Sequence, residues 1–194
     1  MRSLTPTALV LLLALVACDS SAPMDGPLAE NSFSVRVGDG EPVVRPEAHF
    51  GSYVSATTGA TVAMVLGTRP IGSLASITTP VVGFAYDGAS VRVGTYDLAA
   101  VNPNGDPPEG AFIGVYIDPS EYASGQIGRS GFYYTGEGTI TFDEVDATHA
   151  RGSFSMRAVE LGAGFAASEA EVEVAGEFHA VHTDAFGNED AIWN

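Results

Sequence analysis

The sequence predicts an all-β domain, an antiparallel β-sandwich with a closed lipocalin-like β-barrel as the alternative closure. Three observations carry this. Apolar residues alternate with polar ones at period two in successive short segments. Glycine (23 residues) and proline (11) punctuate those segments, dividing the chain into strand-length pieces at roughly 8–15 residue spacing. No segment has the apolar stripe of an amphipathic helix.

Taken in order, Phe33, Val35 and Val37 alternate with Ser34 and Arg36, and Gly38-Asp39-Gly40 ends that strand. Residues 49–56 and 61–68 read as the next two, split by Thr58-Gly59. Residues 76–86 are apolar and β-rich, but Pro80 cannot donate to a ladder, which predicts an edge position or a bend there. Asp87-Gly88 is a turn, and residues 92–98 form another strand. Residues 102–110 carry the longest loop signal of the chain, and residues 111–118 alternate again. Residues 133–145, 151–159 and 170–181 complete the set. The step from Val174 to Phe178 across Gly176 predicts a β-bulge in the last of these.

The N-terminus has a different character. Arg2 precedes an apolar run over residues 8–17. That run is about half the ~20 residues needed to cross a bilayer, and it fits the apolar core of an export signal. Leu15-Val16-Ala17-Cys18 follows, and Cys18 is the single cysteine of the chain, so no internal disulfide can form. This motif resembles the lipobox of bacterial lipoproteins. The resemblance implies cleavage before Cys18 and a diacylglyceryl group on its thiol. Two or three acyl chains on one residue anchor a protein durably, where a single chain binds only marginally. The organisation expected is a signal peptide over residues 1–17, a lipidated flexible tether over 18–31 and one all-β domain over 32–194. The tether reading rests on small, polar and Pro-containing residues without periodicity.

A second resemblance covers residues 33–182. Phe33-Ser-Val-Arg-Val, Gly94-Thr95-Tyr96-Asp97-Leu98, Gly138-Thr139-Ile140-Thr141-Phe142, Ala150-Arg-Gly152-Ser153-Phe154-Ser155 and Val174-Ala-Gly176-Glu-Phe178 follow one another in this order. The series is similar to that of uncharacterised all-β lipoproteins of Bacteroidetes and related bacteria. It implies an all-β fold in the cell envelope and brings no catalytic residue with it.

The net charge is −16, with 24 acidic residues against eight arginines and no lysine. Removing residues 1–17 takes away Arg2 and leaves −17. Such a surface repels nucleic acid and anionic headgroups, which excludes DNA and RNA as partners. Adaptation to high salt and nucleotide bias both account for it; in the first, salt screens the repulsion of dense carboxylates.

Candidate chemistry is sparse. There is no Gly-x-Ser-x-Gly elbow, and His49 and His149 stand without an obvious orienting acid. His179, His182 and Asp184 lie close in sequence, but two residues three apart on a strand point to opposite faces, so no shared ligand set is expected. Asn102, Asn104, Asp106 and Glu109 faintly resemble a calcium loop, interrupted by Pro107-Pro108. Asp143, Glu144 and Asp146 read as a hairpin end. Of Phe132, Tyr133 and Tyr134 at least one must face outward, and Trp193 sits near the end of the chain.

The expectation is therefore a non-enzymatic binding or envelope-structural lipoprotein with no cofactor, metal or catalytic residue. Its membrane contact is lipid on Cys18, and its partner is an unidentified protein or glycan. The outer membrane or cell surface is favoured. Asp19 directly after the cysteine is the residue that marks inner-membrane retention in enteric bacteria, a rule that does not hold in Bacteroidetes-type systems. A small-ligand carrier and an enzyme with an unrecognised site are the alternatives. A filled interior, an apolar cavity or a cleft of shifted carboxylates, respectively, would distinguish the three.

Overall fold

A computed structural model describes residues 26–55, 59–67, 79–88, 90–100, 110–120, 131–161 and 167–184. Cys18, residues 1–17 that were expected to be an export signal, residues 102–109 that were expected to be a loop, and Trp193 lie outside these residues.

Ten strands account for most of the described chain: β1 (Ser32–Val37), β2 (Val43–Pro46), β3 (Ala48–Ser55), β4 (Gly59–Leu66), β5 (Val81–Asp87), β6 (Gly94–Leu98), β7 (Phe112–Ile117), β8 (Phe132–Val145), β9 (His149–Leu161) and β10 (Ala167–His182). The all-β expectation holds. The strands form one mixed sheet in the order β2-β1-β10-β3-β4-β5-β7-β6-β8-β9, with β10 also paired to β9 and β7 to β8. Two short steps are parallel, β10–β3 and β6–β7, and the other pairings are antiparallel.

The sheet doubles over. One half is β2-β1-β10-β9-β8-β6, and the other is β3-β4-β5-β7. They join where Val181 and His182 meet His49 and Phe50, and where Val115–Ile117 meets residues 132–134. Phe84 of β5 and Phe154 of β9 belong to strands with no ladder between them, yet their rings lie 5.2 Å apart, edge to face. In place of the expected antiparallel sandwich of two sheets there is thus a single mixed sheet, whose last strand in the order, β9, pairs back to β10. Phe33, Phe84, Phe112, Phe142, Phe154 and Phe178 fill the space between, with Met64, Leu66, Ile140 and Met156 around them. Ring pairs such as Phe112–Phe142 (5.7 Å) and Phe142–Phe178 (5.5 Å) are at the separations aromatic side chains prefer.

The two halves read differently in sequence because they are buried differently. In β8–β10 buried and accessible residues alternate: Phe154, Met156 and Ala158 point in, while Ser153, Ser155 and Arg157 point out. In β4 and β5 the runs over 61–66 and 81–85 are buried without a break. Ala63, Val65 and Val81 of these strands form a second cluster with Val115 and Ile117 of β7 and Phe132 of β8. An uninterrupted apolar run is what a strand covered on both faces requires.

Three expectations need correction. No bulge occurs at Gly176; the β9–β10 register runs unbroken from Glu171 to Val181. Gly176 occupies an inward position of regular alternation, opposite Phe154, and Phe178 lies opposite Gly152. Each ring covers the glycine across from it, so that a Cβ on Gly152 would sit 2.9 Å from Phe178 Cζ and one on Gly176 the same distance from Phe154 Cζ. The absent side chains are replaced by neighbouring aromatics. Register shifts fall instead near the start of β10, between Ala167 and Glu171, and in β8, between Thr135 and Glu137 and between Phe142 and Glu144. Secondly, of the two readings of Pro80 the edge position is the one that fails: β5 begins just after it and is flanked by β4 and β7, with a bend at the preceding Thr79. Thirdly, β2 was not foreseen. It pairs only with β1 among the described residues, and Pro46 closes it, as befits an edge.

At the first β8 bulge a side chain substitutes for the ladder. Along β8 the partner changes from β7 at Tyr134 to β6 at Gly138. Between them Thr135 Oγ1 accepts from Gly114 N (2.6 Å) and donates to Gly114 O (2.8 Å). Thr135 is buried, and Gly114 has no room for a side chain, because a Cβ there would meet the same oxygen at 2.6 Å.

Candidate functional site

The four histidines of the chain gather at one end of the sheet, although the sequence spreads them from position 49 to 182. His49 is the second residue of β3 and His149 opens β9, and both stand opposite Val181 near the end of β10. His179 and His182 lie on that same end of β10.

Alternation sets their directions. Ala150, Phe178 and Ala180 point into the core, so His149 and His179 point outward together. Pairing of His149 with Val181 and of Arg151 with His179 makes the two histidines diagonal neighbours, with ring centroids 5.7 Å apart. His182 has the opposite parity and packs edge-on against Phe50 at 5.4 Å. The expectation that His179 and His182 face apart is correct. The partner of His179 comes from another strand.

The turn before His149 is fixed by Asp146. Its Oδ1 accepts from Thr148 N (2.6 Å), Thr148 Oγ1 (2.7 Å) and His149 N (2.8 Å). The backbone bond from Thr148, with these others, lowers the carboxyl to about 2. His149 Nδ1 meets Thr148 Oγ1 at 2.8 Å, and its Nε2 meets Glu30 Oε1 at 3.0 Å. Asp146 is thus part of a hairpin end, as its sequence context suggests.

Glu30 belongs to a segment assigned by sequence to the tether. Here its described part, residues 26–31, is held: Leu28 is 8% exposed, its carbonyl faces His179 Nδ1 at 3.3 Å, and Ser32 Oγ donates to Ala29 O. Asn31 has a left-handed backbone (φ 58°), which lets Oδ1 accept from Ala48 N at 2.9 Å. Among the described residues, Leu28 is the first that is buried.

Beside the histidine pair runs a groove of about 330 Å³ between Pro27-Leu28 and the outer face of β8–β10. Asp143, Glu144 and Glu177 line it, with Ser153 and Arg151, whose guanidinium lies 3.8 Å from Glu144. The adjoining outer face carries short hydroxyl side chains in register: Thr95 beside Thr141 beside Ser153, and Thr139 beside Ser155. Thr95 and Thr141 share a 2.9 Å hydrogen bond. Among the described residues, no three His, Cys, Asp or Glu side chains are gathered tightly enough to hold an ion as they stand.

Of the aromatic trio, Phe132 and Tyr134 join the outer apolar cluster, and Tyr133 lies against Tyr116 of the core at 5.8 Å. Burial raises the Tyr134 hydroxyl above its ordinary value. Sequence reasoning passed over Glu30, Arg151 and Glu177. The signal available for the last two was parity: once β9 and β10 are taken as a hairpin, 149, 151, 153, 177 and 179 share one face.

Compared with protein-family models, curated proteins and solved structures, the chain has no match.

Proposed function

We propose that this chain is a lipid-anchored envelope protein whose all-β domain acts as a non-enzymatic binding or structural module. Lipid on Cys18 is the membrane contact, residues after it form the link, and the groove with its hydroxyl-bearing surround meets a protein or glycan partner. Placement in the outer membrane or at the cell surface is the preferred location, with the inner membrane as the other.

One observation carries the choice of module over carrier. The space between the sheet halves is occupied by buried phenylalanines of one core cluster, among them the ring pairs Phe84–Phe154, Phe112–Phe142 and Phe142–Phe178, where a carrier would keep a ligand cavity. The Asp146 carboxyl, displaced to about 2, is bound into a turn by the backbone N–H groups of Thr148 and His149 and the Thr148 hydroxyl, which is a structural use rather than that of an acid or base in a cleft. The Leu15-Val16-Ala17-Cys18 motif supports the anchor.

The direct test is Cys18→Ala. The variant is expected to leave the membrane fraction and to lose labelling by a fatty-acid analogue. Labelling that persists would refute lipidation at Cys18. Protease shaving of whole cells then separates surface display from an inward-facing location.

A further inference from the structure

We propose that Glu30, His149 and His179 form a binding site for a divalent ion of the zinc type, which clamps the segment before β1 to the β9–β10 ladder. The proposal goes beyond the display reading and does not depend on lipidation.

Hydrogen-bond accounting leads to it. The hydroxyl hydrogen of Thr148 is given to Asp146 Oδ1. Thr148 Oγ1 can then only accept from His149, so the ring proton of a neutral His149 is on Nδ1. Its Nε2 is left with a lone pair, and that lone pair lies 3.0 Å from an oxygen of the Glu30 carboxylate. Two lone pairs at this distance repel unless a cation lies between them. Two ligands on one tetrahedral zinc are roughly 3.3 Å apart, given bonds of ~2.0–2.1 Å, so Nε2 and Oε1 already stand near the separation of a shared ion.

His179 supplies the third donor. Its Nδ1 faces the Leu28 carbonyl, an acceptor, which puts the proton on Nδ1 and the lone pair on Nε2. Two imidazoles bound through Nε2 to one tetrahedral ion have centroids roughly 5 Å apart; these rings are at 5.7 Å. Both rings also have the outer partner that metal-bound histidines require, a backbone carbonyl for His179 and the Thr148–Asp146 relay for His149. The donors do not yet meet at one point. Closure asks for a swing of the Glu30 side chain, which is 63% exposed, and for His179 Nε2 to turn toward the same point. Water supplies the fourth position.

The competing cation is a proton on His149, and the experiment separates the two. The full chain carrying Cys18→Ala, so that no thiol contributes, is titrated with Co²⁺ and then Zn²⁺ in non-chelating buffer. One Co²⁺ per chain is expected, with the visible absorption of a tetrahedral nitrogen–oxygen site, displaced by Zn²⁺. Histidine ring NMR signals of the same chain should show two of the four imidazoles shifting with the first equivalent of Zn²⁺. His149→Gln and His179→Gln should each weaken binding tenfold or more and Glu30→Gln several-fold, while His182→Gln leaves it unchanged. No stoichiometric binding at micromolar metal, no zinc-dependent ring shifts, or binding that survives both His149→Gln and His179→Gln overturns the proposal.

Discussion

Thr135→Val is the substitution with the sharpest expected outcome. Valine matches threonine in shape, so packing is retained and the change is confined to the hydroxyl. That oxygen is the partner of both the N–H and the C=O of Gly114, in a place where Thr135 is 2% exposed and water has no access. Leaving a buried polar group unsatisfied costs about 1–3 kcal/mol. With two groups orphaned together, and some relaxation where β8 changes partner, the loss is about 2–4 kcal/mol. For a chain of this size each kcal/mol lowers Tm by ~2–4 °C, which places the variant about 4–16 °C below the parent. The assay is urea and thermal unfolding followed by far-UV circular dichroism. The midpoint should fall with an unchanged urea slope. Thr135→Ser, which keeps the oxygen, should recover most of the loss. A Thr135→Val protein within about 0.5 kcal/mol of the parent, the scale of a neutral surface change, would show that Gly114 finds other partners and that the hydroxyl does not substitute for the ladder.

Gly152→Ala should destabilise by about 3 kcal/mol, because overpacking of ~1–3 kcal/mol is compounded by a clash with the Thr141 carbonyl that only a backbone shift can relieve; Gly26→Ala, whose Cβ meets open space, is the control expected to be neutral by the same unfolding assay. Asp146→Ala should flatten the acid limb of stability. The carboxyl lies at about 2 in the fold against an ordinary 3.8, so its contribution is present above pH ~4 and is lost as pH falls through ~2; a parent and variant that lose stability in parallel between pH 4 and 2 would sink this reading. Raising NaCl should stabilise the domain, since self-repulsion at a net charge of −16 is screened; unfolding midpoints that are flat or falling with salt would exclude carboxylate repulsion as the dominant surface effect.

Strand content was legible in the sequence because alternation is a direct consequence of one-sided burial. It was clearest in β8–β10, where one face meets solvent. The unbroken runs of β4 and β5 also read as strands, but their double burial could not be assigned to particular neighbours, since both faces are apolar. Gly176 misled because a glycine in an inward slot looks like a break in the pattern. Its side-chain volume is supplied by Phe154 from the next strand, and a linear reading has no access to that partner. The site was less legible for the same reason. His179 was weighed against His182, three residues away, when its neighbour is His149, thirty residues earlier. Glu30 reaches His149 across 119 residues, a proximity that the β1–β10 and β9–β10 pairings create together. Turn chemistry at Asp146, a local matter, was read correctly as a hairpin end.

The pairing of β10 also governs when the fold can come into being. β10 borders β9 along its length, and on its other edge it meets first β1 and then β3. Among the described residues, β1 and β2 have no other ladder than the one ending on β10. Val37 therefore waits for Val174, and the chain between them must be synthesised before the first strand has a place to go. Contacts this remote in sequence make folding slow and close to all-or-none. A polypeptide emerging N-terminus first, whether from a ribosome or from a translocation pore, stays unfinished until its final stretch arrives. Deletion of that stretch would leave the opening strands without a partner, so even a short C-terminal truncation into β10 is expected to cost the whole domain rather than an edge of it.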